Sequence, residues 1–172
     1  MTPASPRARL LALLVFAGAM GWLEGVVVVY LREVLGIAHR GALPDVAGVM
    51  ERMRAVPWVL PTEQTREAAT LVMLAAVAWI AARTSRARLG ALLVCFGTWD
   101  IVYYVALVAL LRWPPSLATM DVLFLLPPHP WWNQPVWVPV VISAVMIAAG
   151  AVLFAREAPP APRPQENPPA RR

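Results

Sequence analysis

The sequence predicts an all-α membrane protein with four transmembrane helices and a re-entrant or interfacial segment on the outer side. Of its 172 residues, 59% are hydrophobic and only 15% are charged, whereas soluble domains carry about 25% charged residues. The mean hydropathy is +0.60. Several apolar runs also approach the roughly 20 residues that an α-helix needs to cross a bilayer. Together these observations predict one membrane domain over residues 1–155.

The charge pattern supports a membrane protein and not a nucleic-acid-binding one. The formal net charge is +5, and every basic residue is an arginine. Because the arginines cluster at the ends of apolar runs, membrane topology explains them. The predicted partners are therefore the lipid bilayer and a second membrane protein or another copy of the chain, and no nucleic acid is expected. Cys95 is the only cysteine, which excludes an intrachain disulfide and a metal site built from cysteines.

The first predicted span covers residues 10–31 and contains one carboxylate, Glu24. An alternative is a secretory signal peptide, with Arg7 and Arg9 as its basic region and Ala17-Gly18-Ala19 as its cleavage site. The apolar run continues about a dozen residues beyond that site, which favours a span. Cleavage of residues 1–19 nevertheless stays open on the sequence alone.

The other three spans are predicted over residues 63–83, 89–111 and 136–154. Between the first and second spans, Asp45 is a plausible N-cap for a short helix on the membrane surface. The apolar side chains of this helix recur at helical spacing: Val46, Val49, Met50, Met53 and Val56. Residues 156–172 are rich in proline and arginine and predict a disordered tail.

A tryptophan-rich segment separates the third and fourth spans. Its apolar run DVLFLL, residues 121–126, is too short to cross a bilayer, so it predicts a half-buried helical turn capped by Asp121. Tryptophan is enriched at membrane interfaces, and the segment therefore predicts a lid or re-entrant element. Counting arginines in the connecting loops places both termini and the 83–88 loop in the cytoplasm.

Glu24 is the first candidate for chemistry, because an ionisable group inside a membrane is costly and is commonly functional. Helix geometry places it near Gly21, and Gly21 and Gly25 form a GxxxG pair that predicts close helix packing. Glu24 is thus expected to face the bundle. The alternative role is structural, with a paired or protonated Glu24 that holds helices together.

Asp100 is the second intramembrane acid, and Tyr104 lies one helical turn away, where it is expected to help order the carboxylate. The candidates for catalysis are accordingly Glu24, Asp100 and Tyr104. Asp100 is a potential acidic companion of Glu24, and a facing pair would share a proton. Arg32 is the potential basic companion.

Four further charged residues are expected at the outer level of the bundle: Arg32, Arg66, Glu67 and Asp121. They predict an outer polar cluster, although ion pairs anchored at the membrane interface explain them better. His39 and His129 fall in loops without a metal-binding spacing, so no metal site is predicted. No cofactor is predicted either.

The motifs FGTWDIVYY, WPPSL, DVLFLLPPHPWW and PVWVPV, with EGVVVVYLRE and REAATLVMLAAVAW, resemble an uncharacterised family of small bacterial multi-pass membrane proteins. The resemblance covers about residues 20–150. It implies a bacterial inner-membrane location, and it transfers no activity and no catalytic residue.

The absence of a catalytic or cofactor motif favours an accessory or interaction component of a membrane assembly over an enzyme. One alternative is a small carrier or membrane enzyme that uses Glu24 and Asp100 as protonatable groups. Another is a subunit that binds a quinone-type cofactor in the aromatic segment.

Overall fold

The computed structural model describes residues 5–41 and 43–157. Most of these residues are helical, which confirms the predicted helical class. The helices are α1 (Pro6–Val34), α2 (Val46–Ala55), α3 (Val59–Ala81), α4 (Ser85–Leu111) and α5 (Trp137–Ala155). Two short strands, β1 (Met120–Val122) and β2 (Asn133–Pro135), form an antiparallel pair between α4 and α5. From residue 158 onward the predicted tail lies outside the described residues.

Three helices, α1, α4 and α5, are long and apolar enough to cross a membrane. Their exposed apolar side chains are compatible with lipid contact. Helix α3 has 23 residues, about 35 Å at 1.5 Å per residue, which is also a sufficient length. Its first turns carry Glu63, Arg66 and Glu67, however, and these charges lower its hydropathy. The fourth span therefore stays a prediction.

Helices α1 and α5 pack closely on α4 through glycines. A Cβ atom at Gly25 of α1 would lie 2.5 Å from the Cβ of Ala106. On the other side of α4, a Cβ at Gly150 of α5 would lie 2.6 Å from the carbonyl oxygen of Gly90. Small residues allow such close backbone approach, which is a common way for helices to associate in membranes.

Helix α3 joins this bundle mainly through its C-terminal half. Leu74, Ala78 and Ala82 belong to a core cluster that includes Leu13 and Ala17 of α1 and Ala87, Ala91 and Cys95 of α4. Nearer the N-terminal end of α3, Glu67 instead contacts the segment that follows β1. This half of α3 borders a cavity, although its first residue, Val59, packs with α2.

The segment between α4 and α5 corrects one prediction. DVLFLL does not form a helical turn: Asp121 lies in β1 opposite Gln134 of β2, and it caps no helix. A six-residue apolar run is ambiguous between strand and helix. Pairing with residues 133–135 resolves that ambiguity, because it satisfies backbone groups that a single helical turn would leave unpaired.

This segment enters the bundle. The ring of Phe124, just after β1, lies 6.1 Å from the ring of Phe96 in α4. Phe96 precedes the end of α4 by fifteen residues, about 22 Å along the helix. The hairpin and its connecting residues therefore reach well below the end of α4, as a re-entrant element would.

The short helix predicted after the first span is confirmed as α2. The side chain of Asp45 accepts a hydrogen bond from the Gly48 amide at 2.9 Å, as an N-cap does. Met53 is buried, and it packs with Leu35, Ile37 and Val59. Helix α2 thus lies across the end of the bundle with its apolar face inward.

The end of α1 is fixed by Gly36. Its φ of 62° is in the left-handed region, and the Ile37 and Gly36 amides bond back to the carbonyls of Arg32 and Glu33. This is the Schellman arrangement, which favours glycine at this position. As a result, the loop after α1 folds back onto the last turn of the helix.

We expect Gly21→Ala to destabilise the protein by about 1–3 kcal/mol, the usual cost of overpacking. The added methyl group would meet the backbone oxygen of Trp99 and lie 3.0 Å from the amide nitrogen of Tyr103. Thermal unfolding in detergent measures the effect. Gly18→Ala is the matched control, because only Val102 lies near it, at 3.9 Å. Equal unfolding temperatures for the two variants would contradict the prediction.

Candidate functional site

A cavity of about 1100 Å³ lies inside the bundle, between α1, α3, α4, α5 and the hairpin, with α2 across its end. Pockets of this size accept small-molecule ligands, and a few polar groups on an apolar wall are typical of them. The lining includes the candidates predicted from sequence: Glu24, Arg32, Arg66, Glu67, Asp100, Tyr104 and Asp121.

Glu24 joins α1 to α3. It is 6% exposed, it forms an ion pair with Arg66, and it accepts a hydrogen bond from the Thr70 hydroxyl at 2.5 Å. Arg66 also donates to Glu63 at 2.8 Å. Glu24 therefore faces the bundle, but its basic partner is Arg66 of α3 and not Arg32. A buried carboxylate needs such partners, since an unpaired one is strongly disfavoured.

Asp100 lies in the interface between α4 and α5. The Ser143 hydroxyl donates to its Oδ2 at 2.8 Å. Glu24 and Asp100 line the same cavity, but their hydrogen-bond partners among the described residues are different. The structure thus places the two acids in one chamber and does not bring them together as a hydrogen-bonded pair.

Tyr104 orders a different carboxylate from the one expected. Its hydroxyl donates to Asp121 of the hairpin at 2.8 Å, and the Val122 amide donates to the other oxygen of Asp121 at 2.8 Å. Burial raises the pKa of Asp121 from its ordinary 3.8 to about 6, although these two hydrogen bonds oppose the shift. The Tyr104–Asp121 contact ties the hairpin to α4.

Glu67 ties the same segment to α3. Its two carboxylate oxygens accept from the amides of Leu125 and Leu126, at 2.8 and 3.1 Å. The side chain of Gln64 donates to the carbonyl of Leu125 at 3.3 Å. The hairpin segment is therefore held to α4 through its own carboxylate, Asp121, and to α3 through Glu67.

Aromatic rings form a continuous second wall. Consecutive rings lie 5.1–6.4 Å apart, within the range of favourable aromatic contacts. They run along α4 and then into the hairpin segment: Tyr104, Tyr103, Trp99, Phe96, Phe124 and Trp132. All six line the cavity, so a ligand meets aromatic surface along α4 and the hairpin segment, where Asp100 and Asp121 also lie. The other charged lining residues belong to α1, α2 and α3 or, for Asp45, cap α2.

Arg32 lies in the last turn of α1 and is only 2% exposed. Its Nη1 donates to the carbonyl oxygens of Ala38 and Gly41, at 3.2 and 3.3 Å. Its Nε and Nη2 are buried without a hydrogen-bond partner among the described residues.

The four residues of the predicted outer cluster all line the cavity, but no hydrogen bond or ion pair joins the side chains of any two of them. Each of the four has different partners: Arg32, Arg66, Glu67 and Asp121. Sequence analysis missed Glu63, Thr70 and Ser143 as partners. Glu63, Arg66 and Thr70 recur at three- and four-residue spacing, which places them on one face of α3, and this signal points to a polar stripe. Nothing local marks Ser143 as the partner of Asp100.

Within residues 5–41 and 43–157, no group of three or more His, Cys, Asp or Glu side chains could hold a metal ion. Comparison of the chain with protein-family models, curated proteins and solved structures gives no match. The resemblance to a family of bacterial membrane proteins therefore stays a prediction.

We expect Glu67→Gln to loosen the hairpin segment. An amide side chain offers one acceptor oxygen where the carboxylate offers two, so one buried backbone amide loses its partner at a cost of about 1–3 kcal/mol. Hydrogen exchange measured at Leu125 and Leu126 would become faster. Glu51→Gln, at an exposed position of α2, is the control. Unchanged exchange in Glu67→Gln would show that Glu67 does not hold the segment.

We also expect the stability of the fold to depend on the protonation of Asp121. Because its pKa of about 6 in the fold exceeds the unfolded value of about 3.9, the folded state binds the proton more tightly. The free energy of unfolding should therefore fall as the pH rises from about 4 to about 6.

Thermal unfolding of wild type, Asp121→Asn and Asp45→Asn across this pH range tests the assignment. Asp121→Asn should lose part of the pH dependence, whereas Asp45→Asn should keep it, because Asp45 is exposed. Identical pH profiles for all three proteins would contradict it.

Proposed function

We propose that the protein binds an amphiphilic small molecule inside the membrane, as a carrier or a membrane binding protein. The cavity of about 1100 Å³ carries this proposal. Aromatic rings run along α4 and the hairpin segment, and seven of the nine charged lining residues lie on other elements. The site therefore suits a ligand with an apolar body and a polar head. A charged side chain inside a membrane costs free energy and is commonly functional. Binding the polar head of a ligand is a function that these charged side chains can serve.

The carrier form of the proposal assigns protonation to Glu24 and Asp100. Both carboxylates line the cavity, and each has a hydroxyl donor, Thr70 and Ser143 respectively. A carboxylate in such a site can take up a proton when its partner or the ligand leaves. Proton uptake coupled to ligand release is the step that this arrangement supports.

The membrane topology belongs to the same proposal: four spans, with both termini on the cytoplasmic side of a bacterial inner membrane. Glu157, after α5, accepts hydrogen bonds from Arg9 near the start of α1 and from the Arg83 amide after α3. These contacts gather the start of α1 and the ends of α3 and α5 at one face of the bundle. Such a grouping supports α3 as a crossing helix, and its arginines favour a cytoplasmic face.

Two alternatives remain. A quinone-type ligand is favoured by the aromatic wall and by Trp99, whose buried indole N–H has no partner among the described residues and lines the cavity. An accessory role in a membrane assembly is the other. It rests on the absence of a catalytic motif, and a tightly co-purifying protein together with an empty cavity would favour it.

Native mass spectrometry of the protein extracted in mild detergent tests the proposal. We expect the wild type to carry a bound small molecule at higher occupancy than Val28→Trp, because Val28 lines the cavity and the larger side chain takes up part of its space. Val15→Trp on the same helix is the matched control, since Val15 is 65% exposed on the outer surface.

Circular dichroism checks that both variants keep their helices. Retention of the bound mass at the same occupancy in Val28→Trp would contradict the proposal. A wild type that carries no ligand and takes up none from added lipids or organic acids would do so as well.

A further inference from the structure

Arg32 is a buried cation that forms no ion pair among the described residues. Its side chain lines the cavity, and it is almost fully inaccessible. Removing a guanidinium from water costs several kcal/mol unless charges or hydrogen bonds compensate it. Two backbone carbonyl oxygens accept hydrogen bonds from Nη1. They do not serve the opposite edge of the guanidinium, which is formed by Nε and Nη2.

That opposite edge is the one that binds oxyanions. Nε and Nη2 point in nearly parallel directions, and together they match the two oxygens of a carboxylate or a phosphate. Both atoms are buried without an acceptor among the described residues. The Schellman turn at Gly36 brings the loop carbonyls onto Nη1, so the guanidinium is held from one side with its bidentate edge free.

The acids of the cavity do not serve as that acceptor. Glu24 is paired with Arg66 and Thr70, and Glu67 with two backbone amides. Asp121 accepts from Tyr104, and Asp100 accepts from Ser143. At the other end of the cavity the indole N–H of Trp99 also lacks an acceptor among the described residues. The fully buried wall atoms without a partner in this part of the chain are thus Nε and Nη2 of Arg32 and the indole N–H of Trp99. All of them are donors, and they call for a ligand rich in acceptors.

The charge of the wall limits the charge of the ligand. Its acidic side chains are Glu24, Asp45, Glu63, Glu67, Asp100 and Asp121, and its basic ones are Arg32, Arg54 and Arg66. This excess of acids disfavours anions with several charges. A single negative charge that Arg32 binds directly remains acceptable.

We propose that Arg32 binds the head of a singly charged amphiphile, a carboxylate or a phosphodiester, whose apolar body lies along the aromatic wall. This inference rests on the proposed function, since it names the ligand class of the same cavity. On α1, Gly21 lies against the backbone of Trp99. Arg32 follows it by eleven residues, about 16 Å along the helix, which is the length available to the apolar body.

The test compares dodecanoate with dodecanol, which share a chain and differ in the anionic head. Purified protein in nanodiscs of zwitterionic lipid is titrated with each at about pH 8, where the carboxylate is ionised. We expect the wild type to bind dodecanoate about tenfold tighter than dodecanol, as a charge-assisted hydrogen bond implies. Arg32→Lys keeps the charge but loses the bidentate edge, and it should lose most of this preference.

Arg112→Lys, at an exposed arginine after α4, is the matched control and should keep the preference. If Arg32→Lys fails to fold, the comparison of dodecanoate with dodecanol on the wild type still tests the inference. Equal binding of acid and alcohol would overturn the inference and leave the proposed function standing. Binding of neither would overturn both.

Two further arms separate the sources of the anion. Nanodiscs that contain phosphatidylglycerol should compete with dodecanoate if the natural ligand is a membrane lipid with a phosphodiester head. Acetate should compete if the ligand is a soluble organic acid. Competition by phosphatidylglycerol or by acetate supports an anionic ligand at Arg32. If neither competes and dodecanol binds as tightly as dodecanoate, the inference is refuted.

Discussion

The structure depends on how unequally the helices pack around α4. Glycines bring α1 and α5 into backbone contact with it, whereas α3 joins their core cluster through its C-terminal half, and its first residue, Val59, packs instead with α2 and the loop after α1. Between these two apolar contacts α3 borders the cavity, which leaves a wedge of space. The cavity, the hairpin segment and the buried polar groups all occupy that wedge.

The hydrogen bonds of the polar groups in the wedge are a consequence of its low dielectric constant. In such surroundings each buried carboxylate needs a specific donor, and an unsatisfied one costs far more than it would in water. Glu24, Glu67, Asp100 and Asp121 each have one or two donors from another element. Two of these carboxylates, Glu24 and Glu67, join α3 to α1 and to the hairpin segment where the cavity interrupts its apolar packing.

The sequence predicted the elements better than their contacts. Apolar runs located the helices, and Asp45 located the start of α2, because each signal depends on neighbouring residues alone. The helices containing the second and third predicted spans begin four residues earlier than predicted, at Val59 and Ser85, since helices extend into polar residues beyond the apolar run.

Helix geometry also predicted the direction in which Glu24 faces. It could not identify Arg66, 42 residues further along, because the choice of partner depends on which helices are adjacent. The hairpin was missed for the same reason, since its pairing joins residues that are distant in the chain.

The ion pair between Glu24 and Arg66 also bears on the order in which the protein is assembled. In the four-span arrangement proposed above, α3 would enter the bilayer with three charges in its first turns, and each charged side chain near the bilayer centre costs about 2.5–3.5 kcal/mol during insertion. Glu24 emerges from the ribosome earlier, on an apolar helix that inserts without help. Once α1 is in the membrane, its carboxylate gives Arg66 a partner that lipid does not provide. In that arrangement the first helix would assist the insertion of the next long one.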